Sequence, residues 1–471
     1  MKTLKSEFLS VSKPLLRKVI ELLSADYEYV SILGTDTKVK NFMVSSKGTE
    51  INDSMFAERG FVLRIHNGVN YSEYSFNEIS ESKIPEIIAA VRSKLHKLSP
   101  ELTANSYAVI EEDKVTKQFF SDHEINPESV SPESIIKELT KVKDAACALS
   151  DLLVNFRATY NYYHVSKIFL SGKKDLEQSY TNSEAIVGCT ARRGDTTRFN
   201  YRSLSGMIGY EILQKLAEEG RRCAEDCIKL LDAKPVTPGE YDIIATPEIS
   251  GLIAHEAFGH GVEMDMFVKN RAKGAEYIGK QVASPIISMH DGAAATQHVS
   301  SYLFDDEGTL GTDTVIIRDG ILKNGISDLL SALKLGTVPT GNGKRQSFER
   351  KAYARMTNTF FAPGTDTYED MLASIKFGYQ IEGLYSGMED PKNWGIQCIA
   401  ILGREIVDGK FTGNLIAPVL MTGFVPDLLK SMSMLTGEVG LAGTGYCGKG
   451  YKEFVKTSNG GPYIKAKVRL G

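Results

Sequence analysis

The sequence predicts an α+β protein: a mixed α/β amino-terminal half followed by a β-rich carboxy-terminal half that carries a few helices. Two observations lead there. Of the 42 glycines in 471 residues, 32 lie from Thr237 onward. Glycine serves where the backbone takes positive φ or approaches another segment closely, so the second half should be rich in turns. Before Thr237, by contrast, β-branched stretches alternate with runs whose apolar residues recur at the helical period. The clearest linker, Lys234-Pro235-Val236-Thr237-Pro238-Gly239, separates the two textures.

Taken in order, residues 1–23 set Lys2, Lys5, Lys13, Arg17 and Lys18 among Leu and Val at helical spacing. With no unbroken apolar block and small-residue cleavage site, they read as an amphipathic helix and not as an export signal. Residues 24–75 hold strands at 27–32 and 61–65, punctuated by turn signals at Gly34, Lys47-Gly48 and Asn67-Gly68. A helix is expected over 84–98, after Pro85. The charged stretch 122–133, with Pro127 and Pro132, marks a boundary. Residues 134–156 then read as one long helix, with Ile135, Ile136, Leu139, Val142, Ala145, Ala146 and Leu149 on one face. Strands at 165–171, 185–191 and 197–203 follow, then a helix over 209–231. Three units result: 1–125, 126–233 and 234–471. No short repeat appears, which sets solenoids and propellers aside.

Charge narrows the function classes. Lys plus Arg number 55 against 59 Asp plus Glu, a net charge of -4. Nucleic acid is therefore not an expected partner, because phosphate binding needs concentrated positive charge. No apolar run reaches the roughly 18 residues that span a bilayer, so no membrane association is expected. The six cysteines (Cys147, Cys189, Cys223, Cys227, Cys398 and Cys447) are sparse. Without an export signal they suggest free thiols in a reducing, cytoplasmic setting.

The chemistry concentrates after the linker. A buried-strand pattern at 241–245 leads into Thr246-Pro247-Glu248, which opens a helix with a hydroxyl at the cap, proline in the first turn and an early acid. Along it runs His255-Glu256-Ala257-Phe258-Gly259-His260, a His-Glu-x-x-x-His motif. Chance yields roughly 0.02 such motifs in a chain with eight histidines and 59 acids. Histidines four apart face one side of a helix, but five apart they diverge by roughly 140°. Either the two do not share an ion, or the helix is deformed between them. Gly259 and Gly261 flank His260, and glycine is where a helix widens or ends. The expectation is that the helix loosens at Phe258-Gly259 and swings His260 onto the face of His255. The competing reading is a buried helix whose histidines bond internally.

A catalytic zinc takes about three protein ligands and leaves one place for water. The third ligand is open among another histidine, an acid and a thiolate. Cys447 stands out in Gly443-Thr444-Gly445-Tyr446-Cys447-Gly448-Lys449-Gly450, where glycine lets a short side chain reach an ion. Cys223 and Cys227, four apart on a helix, read with Cys147, Cys189 and Cys398 as packing thiols. The same loop imitates a phosphate-binding loop, but Gly450 stands where Ser or Thr is required and no helix pattern follows, so nucleotide binding is rejected.

His255-Glu256-x-x-Gly259-His260-Gly261-x-Glu263-x-Asp265 is followed by Asp305-Asp306-Glu307-Gly308-Thr309 and Pro339-Thr340-Gly341-Asn342-Gly343. Arg355-Met356-Thr357-Asn358-Thr359 and Cys447-Gly448-Lys449 complete the order. Together they closely resemble the TldD/PmbA family of metallopeptidases, long labelled modulators of DNA gyrase. The resemblance covers the carboxy-terminal half and, more loosely, the first. It implies a β-rich metallopeptidase domain over 234–471 with the metal-binding helix. It also implies zinc (Zn2+) on His255, His260 and Cys447, with Glu256 as general base. The substrates implied are extended or unfolded peptides. Family members form a dimer, and this chain, keeping every catalytic position, resembles the active TldD-type subunit, paired with itself or with a TldE/PmbA-like sister. A non-catalytic peptide-binding or structural subunit is the alternative. A zinc that is purely structural, with Glu263 or Asp265 as fourth ligand, is another.

The remaining motifs carry plainer expectations. Asp305-Asp306-Glu307 reads as a solvated turn, with Asp305 a candidate for substrate binding. Gly341-Asn342-Gly343 reads as a turn, and Arg355 and Asn358 are candidates to contact a peptide backbone. Glu263 and Asp265 are candidates to orient the histidines. The chain departs from the family over 384–398, where Ser386-Gly387-Met388-Glu389-Asp390-Pro391 replaces a glycine-rich run, a difference that bears on specificity.

Overall fold

The computed structural model describes residues 1–54, 56–95, 106–450 and 452–471. Its first half is built on one eight-stranded sheet. Strand Val30–Ser45 pairs antiparallel with Leu153–Ser171 along almost its whole length, so strands from either side of residue 126 share the sheet. Two helices, Glu7–Leu23 and Ile84–Lys94, bury Leu16, Val19, Leu23 and Val91 against Ile32 and Leu63. Pro132–Cys147 and Leu216–Lys229 bury Ile135, Leu139 and Cys223 against Phe156 and Val187. Apolar residues on one face of each helix thus do what the periodicity implied.

Several local expectations need correction. The long helix stops at Cys147, and residues 153–156 begin strand Leu153–Ser171. A turn intervenes in which Leu152 N–H donates to Ser150 Oγ at 3.1 Å, and Phe156 is buried in the sheet core. Gly34 is no turn but the interior of a strand, where a Cβ would lie 3.0 Å from Ile168 and Leu9 side-chain atoms. Glycine is there for close packing. Gly48 and Gly68 do turn the chain, at φ +140° and +96°. The strands expected at 165–171, 185–191 and 197–203 are parts of the longer Leu153–Ser171, Lys174–Arg193 and Thr196–Gly206. The 84–98 helix is seen as Ile84–Lys94, and its last residues lie outside those described.

In the second half, strands Gly239–Ala245, Ile464–Leu470, Val419–Phe424, Gly395–Val407 and Phe377–Asp390 pair in that order, and the last pairs back to the first. The sheet therefore closes into a small barrel. A separate six-stranded sheet includes Asn358–Phe361, Ser458–Gly461 and Gly440–Ala442. Helix Pro247–Ala254 lies against both, sharing a core of Ile249 and Ile253 with Ile243, Ile381, Phe361 and Ile464. A Cβ on Gly251 would come within 2.5 Å of Gly460 N, so glycine permits this approach.

The acidic turn 305–307 is not solvated. All three side chains are buried. Arg64 of the first sheet contacts Glu307 Oε1 at 2.6 Å and Glu73 at 2.7 Å, and Lys167 pairs with Asp306. Asp305 accepts N–H bonds from Glu307, Thr309 and Gly343 at 2.8–2.9 Å. Cations from more than a hundred residues upstream make burial of these acids tolerable, and no local pattern reveals them. Among the described residues, no helix is long and apolar enough to cross a membrane.

Candidate metal centre

Helix Pro247–Ala254 starts at the expected place, although Thr246 caps nothing: its hydroxyl donates to Ile381 O at 3.2 Å. Beyond Ala254 the helix widens into a π turn over His255–Gly259, then tightens to a 3-10 turn over His260–Val262. This is the expected loosening, spread over a full turn. Gly259 makes room for it, since a Cβ there would lie 2.1 Å from the sulfur of buried Met356. The rings of His255 and His260 come to 5.1 Å between centroids at 88°. Five-residue spacing is thereby converted into a convergent pair.

Cys447 enters from strand Tyr446–Lys449, with Sγ 3.5 Å from His260 Nε2. Donor atoms of His255, His260 and Cys447 all lie within 4.8 Å of one another, so one ion can be shared by the three. Burial pushes the Cys447 thiol up, but the imidazoles of His260 and His255 outweigh it and leave the thiol well below its ordinary value. Burial disfavours charge on His260, yet Cys447 and Glu263 together raise it well above the ordinary imidazole range. Two imidazoles and an acidified thiol are the donors a zinc-like ion takes.

Groups behind the donors fix their positions. Glu263 Oε2 lies 3.5 Å from His260 Nδ1, and Lys449 Nζ binds Glu263 and Asp265 at 3.0 and 2.6 Å. Glu263 stays below the usual carboxylate range although burial opposes it, because Lys449 and His260 favour the anion. Arg355 is buried and donates to the carbonyls of Cys447, at 2.6 Å, and Glu453. Asn358 donates to Gly292 O and Ser301 Oγ, both at 3.0 Å, and accepts from Ser458. With Asp305, these candidates for substrate contact have internal partners: they bond backbone and side chains of neighbouring segments. Gly450 sits at φ +68° between the paired strands Tyr446–Lys449 and Lys452–Lys456, a hairpin with no phosphate-facing helix.

The donors open onto a groove of about 620 Å³ whose lining includes Leu252, Tyr385, Met388, Thr444 and Phe454. One wall is the 384–389 part of strand Phe377–Asp390. The opposite wall is the glycine-rich 442–450 stretch, which the first half of the chain holds in place. Gly443 N–H donates to Ser205 Oγ at 2.9 Å, and Tyr446 stacks on Phe56 at 4.0 Å. Tyr201 donates to Leu384 O. Glu256 is buried beside His255, and a Cβ on Gly387 would lie 2.5 Å from its Cγ. Sequence reasoning missed Glu389, whose carboxylate occupies the space a Cβ on Gly261 would need, 2.7 Å away. The only signal for it was an acid two places from Gly387.

These features can hold one metal ion, and the comparisons supply the class, the metallopeptidases. Residues 238–468 match the PmbA/TldA metallopeptidase C-terminal domain. A protein of Methanothermobacter thermautotrophicus named metalloprotease is 30% identical over 345 residues, covering 72% of this chain and 74% of that one. A zinc metalloprotease TldD homolog of Saccharolobus solfataricus is 28% identical over 343 residues, 71% of this chain and 75% of its own. The fold is that of TldE from Thermococcus kodakarensis, with a TM-score of 0.77 at 17% identity over 97% of this chain and 99% of that one. The chain belongs to the PmbA/TldD family of metallopeptidases.

Proposed function

We propose that the protein is a zinc-dependent peptidase acting on extended or unfolded peptides, with the metal on His255, His260 and Cys447 and Glu256 as general base. The observation that carries this reading is the convergence of the three donors within 4.8 Å, beside a buried glutamate and an open groove. The name of the Saccharolobus relative supports zinc as the metal. Bound there, zinc supplies the Lewis acidity that polarises a carbonyl and brings the pKa of water toward about 7.

Glu256 follows a donor in sequence, and the bare backbone at Gly387 leaves room for its side chain. Its carboxylate accepts a proton from the attacking water as the oxygen bonds to the peptide carbonyl carbon. The same proton then passes to the amine nitrogen as the carbon–nitrogen bond breaks. Beyond Ile381 the groove-side edge of strand Phe377–Asp390 has no strand partner among the described residues. An extended peptide can add to such an edge through main-chain hydrogen bonds, which makes little demand on its sequence. Likeness in fold to TldE supports a dimer, with itself or with a TldE/PmbA-like sister. Six unbonded thiols suit a reducing cytoplasm.

Incubating the purified protein with unstructured peptides, with and without a chelator, and weighing the products tests the reading. Cleavage that the chelator stops and zinc restores is expected. A zinc-replete protein that binds peptides without cutting them would instead be a non-catalytic subunit.

A further inference from the structure

Glu389 lines the groove, and the proposed chemistry leaves it unused. Both of its carboxylate oxygens are buried and no described side chain donates to either; a backbone N–H, that of Gly261, favours the anion. Nearby cations are committed: Lys449 to Glu263 and Asp265, Arg355 to the carbonyls of Cys447 and Glu453. The described lining of the groove carries four glutamates (Glu248, Glu256, Glu263, Glu389) against a single lysine, Lys449. A buried carboxylate without a counter-charge is costly, and a cationic donor from outside relieves that cost.

Position says what the donor is. Gly387 and Glu389 lie two residues apart on strand Phe377–Asp390, on one face: Gly387 abuts Glu256, and Glu389 reaches over Gly261. Two residues along a strand span roughly 7 Å. A peptide laid along that edge with its scissile bond at Glu256 brings a group one or two residues away to Glu389. We propose that Glu389 forms a subsite for a cationic nitrogen of the substrate, either the peptide's α-ammonium or the side chain of a lysine or arginine near the cleaved bond. This rests on the peptidase reading above and gives it a substrate class. Both glycines belong to the design: a side chain at 261 would displace the Glu389 carboxylate, and one at 387 would displace Glu256.

The test uses the zinc-loaded full chain and a set of unstructured peptides of one parent sequence. Lysine is replaced by norleucine position by position, and each peptide is made with a free and an acetylated amino terminus. Products are identified by mass and kcat/KM is compared within each protein variant. The wild type is expected to favour a cation at one fixed place beside the cleaved bond by about tenfold or more. Loss of the preference on acetylation identifies the α-ammonium, and loss with norleucine identifies the side chain. In Glu389→Gln the ratio should fall to near one, while Glu389→Asp keeps a preference. A wild-type ratio near one in both arms, or a ratio unchanged in Glu389→Gln, overturns the subsite and leaves the peptidase reading standing. Failure to cut any peptide overturns both.

Discussion

Cys447 Sγ stands 3.5 Å from His260 Nε2 although 187 residues separate them along the chain. The contact joins a π-widened helix to a hairpin that the first half of the protein holds by Ser205, Ser203 and Phe56. Each half therefore bears on the donor geometry.

The first prediction concerns that sulfur. Cys447→Ser replaces a soft donor with a hydroxyl that stays protonated at neutral pH, so the ion loses one of three protein ligands. Zinc content of the purified variant, measured by mass spectrometry of the metal, should drop to about a tenth of the wild-type value or less. Full occupancy in Cys447→Ser would show that the ion sits elsewhere.

Glu256→Gln separates binding from chemistry. The amide is nearly isosteric and fits the niche beside Gly387, but it cannot accept a proton. Zinc content should match the wild type while kcat falls by about 10²–10⁴-fold, the range for loss of a positioned general base. A variant that keeps zinc and a tenth of the wild-type kcat would remove Glu256 from that role.

Local signals were enough to read the motif helix and its distortion, because Gly259 and Gly261 beside an over-long histidine spacing pointed to one remedy. Cys447 was legible for a similar reason, as a thiol in a glycine-rich loop. What stayed hidden depended on partners far away in sequence. Asp305, Asp306 and Glu307 read as a wet turn because Arg64 and Lys167 lie in another sheet. Arg355 read as a substrate contact because the two carbonyls it holds belong to a distant hairpin. Gly34 read as a turn because its packing against Leu9, Phe61 and Ile168 is tertiary. Glu389 escaped notice since a single acid carries no pattern.

Gly259→Ala tests the widened turn. The helix there has ordinary φ, so alanine is not refused by the backbone, but its Cβ would meet Met356 Sδ at 2.1 Å in a sealed core. Either Met356 or the turn must move. Overpacking of this kind costs about 1–3 kcal/mol. Chemical denaturation should show that loss, and zinc affinity should fall with it because His260 follows directly. The double variant with Met356→Ala should be less destabilised than the sum of the two singles. Strict additivity would mean that the methionine is not what Gly259 accommodates.

The last prediction concerns pH and the joint between the halves. Glu58 Oε2 accepts the N–H of Phe348 at 2.7 Å, and Phe348 packs where Gly60 has no side chain, since a Cβ there would lie 2.5 Å from its ring. Burial raises the Glu58 carboxyl from 4.5 to about 7, with Lys167 and the Phe348 N–H only partly opposing it. A carboxyl whose folded pKa is raised binds more protons in the folded state than in the unfolded one between those two values. Its contribution is therefore complete below about pH 4.5 and is lost as pH climbs through 7. The full swing amounts to roughly 3 kcal/mol at about 1.4 kcal/mol per pKa unit. Glu58→Gln keeps an acceptor for Phe348 and does not titrate. Urea denaturation at pH 5 and pH 8 should show wild-type stability falling relative to Glu58→Gln by about 2–3 kcal/mol across that interval. Parallel curves at both pH values would place the Glu58 proton outside the stability of this joint.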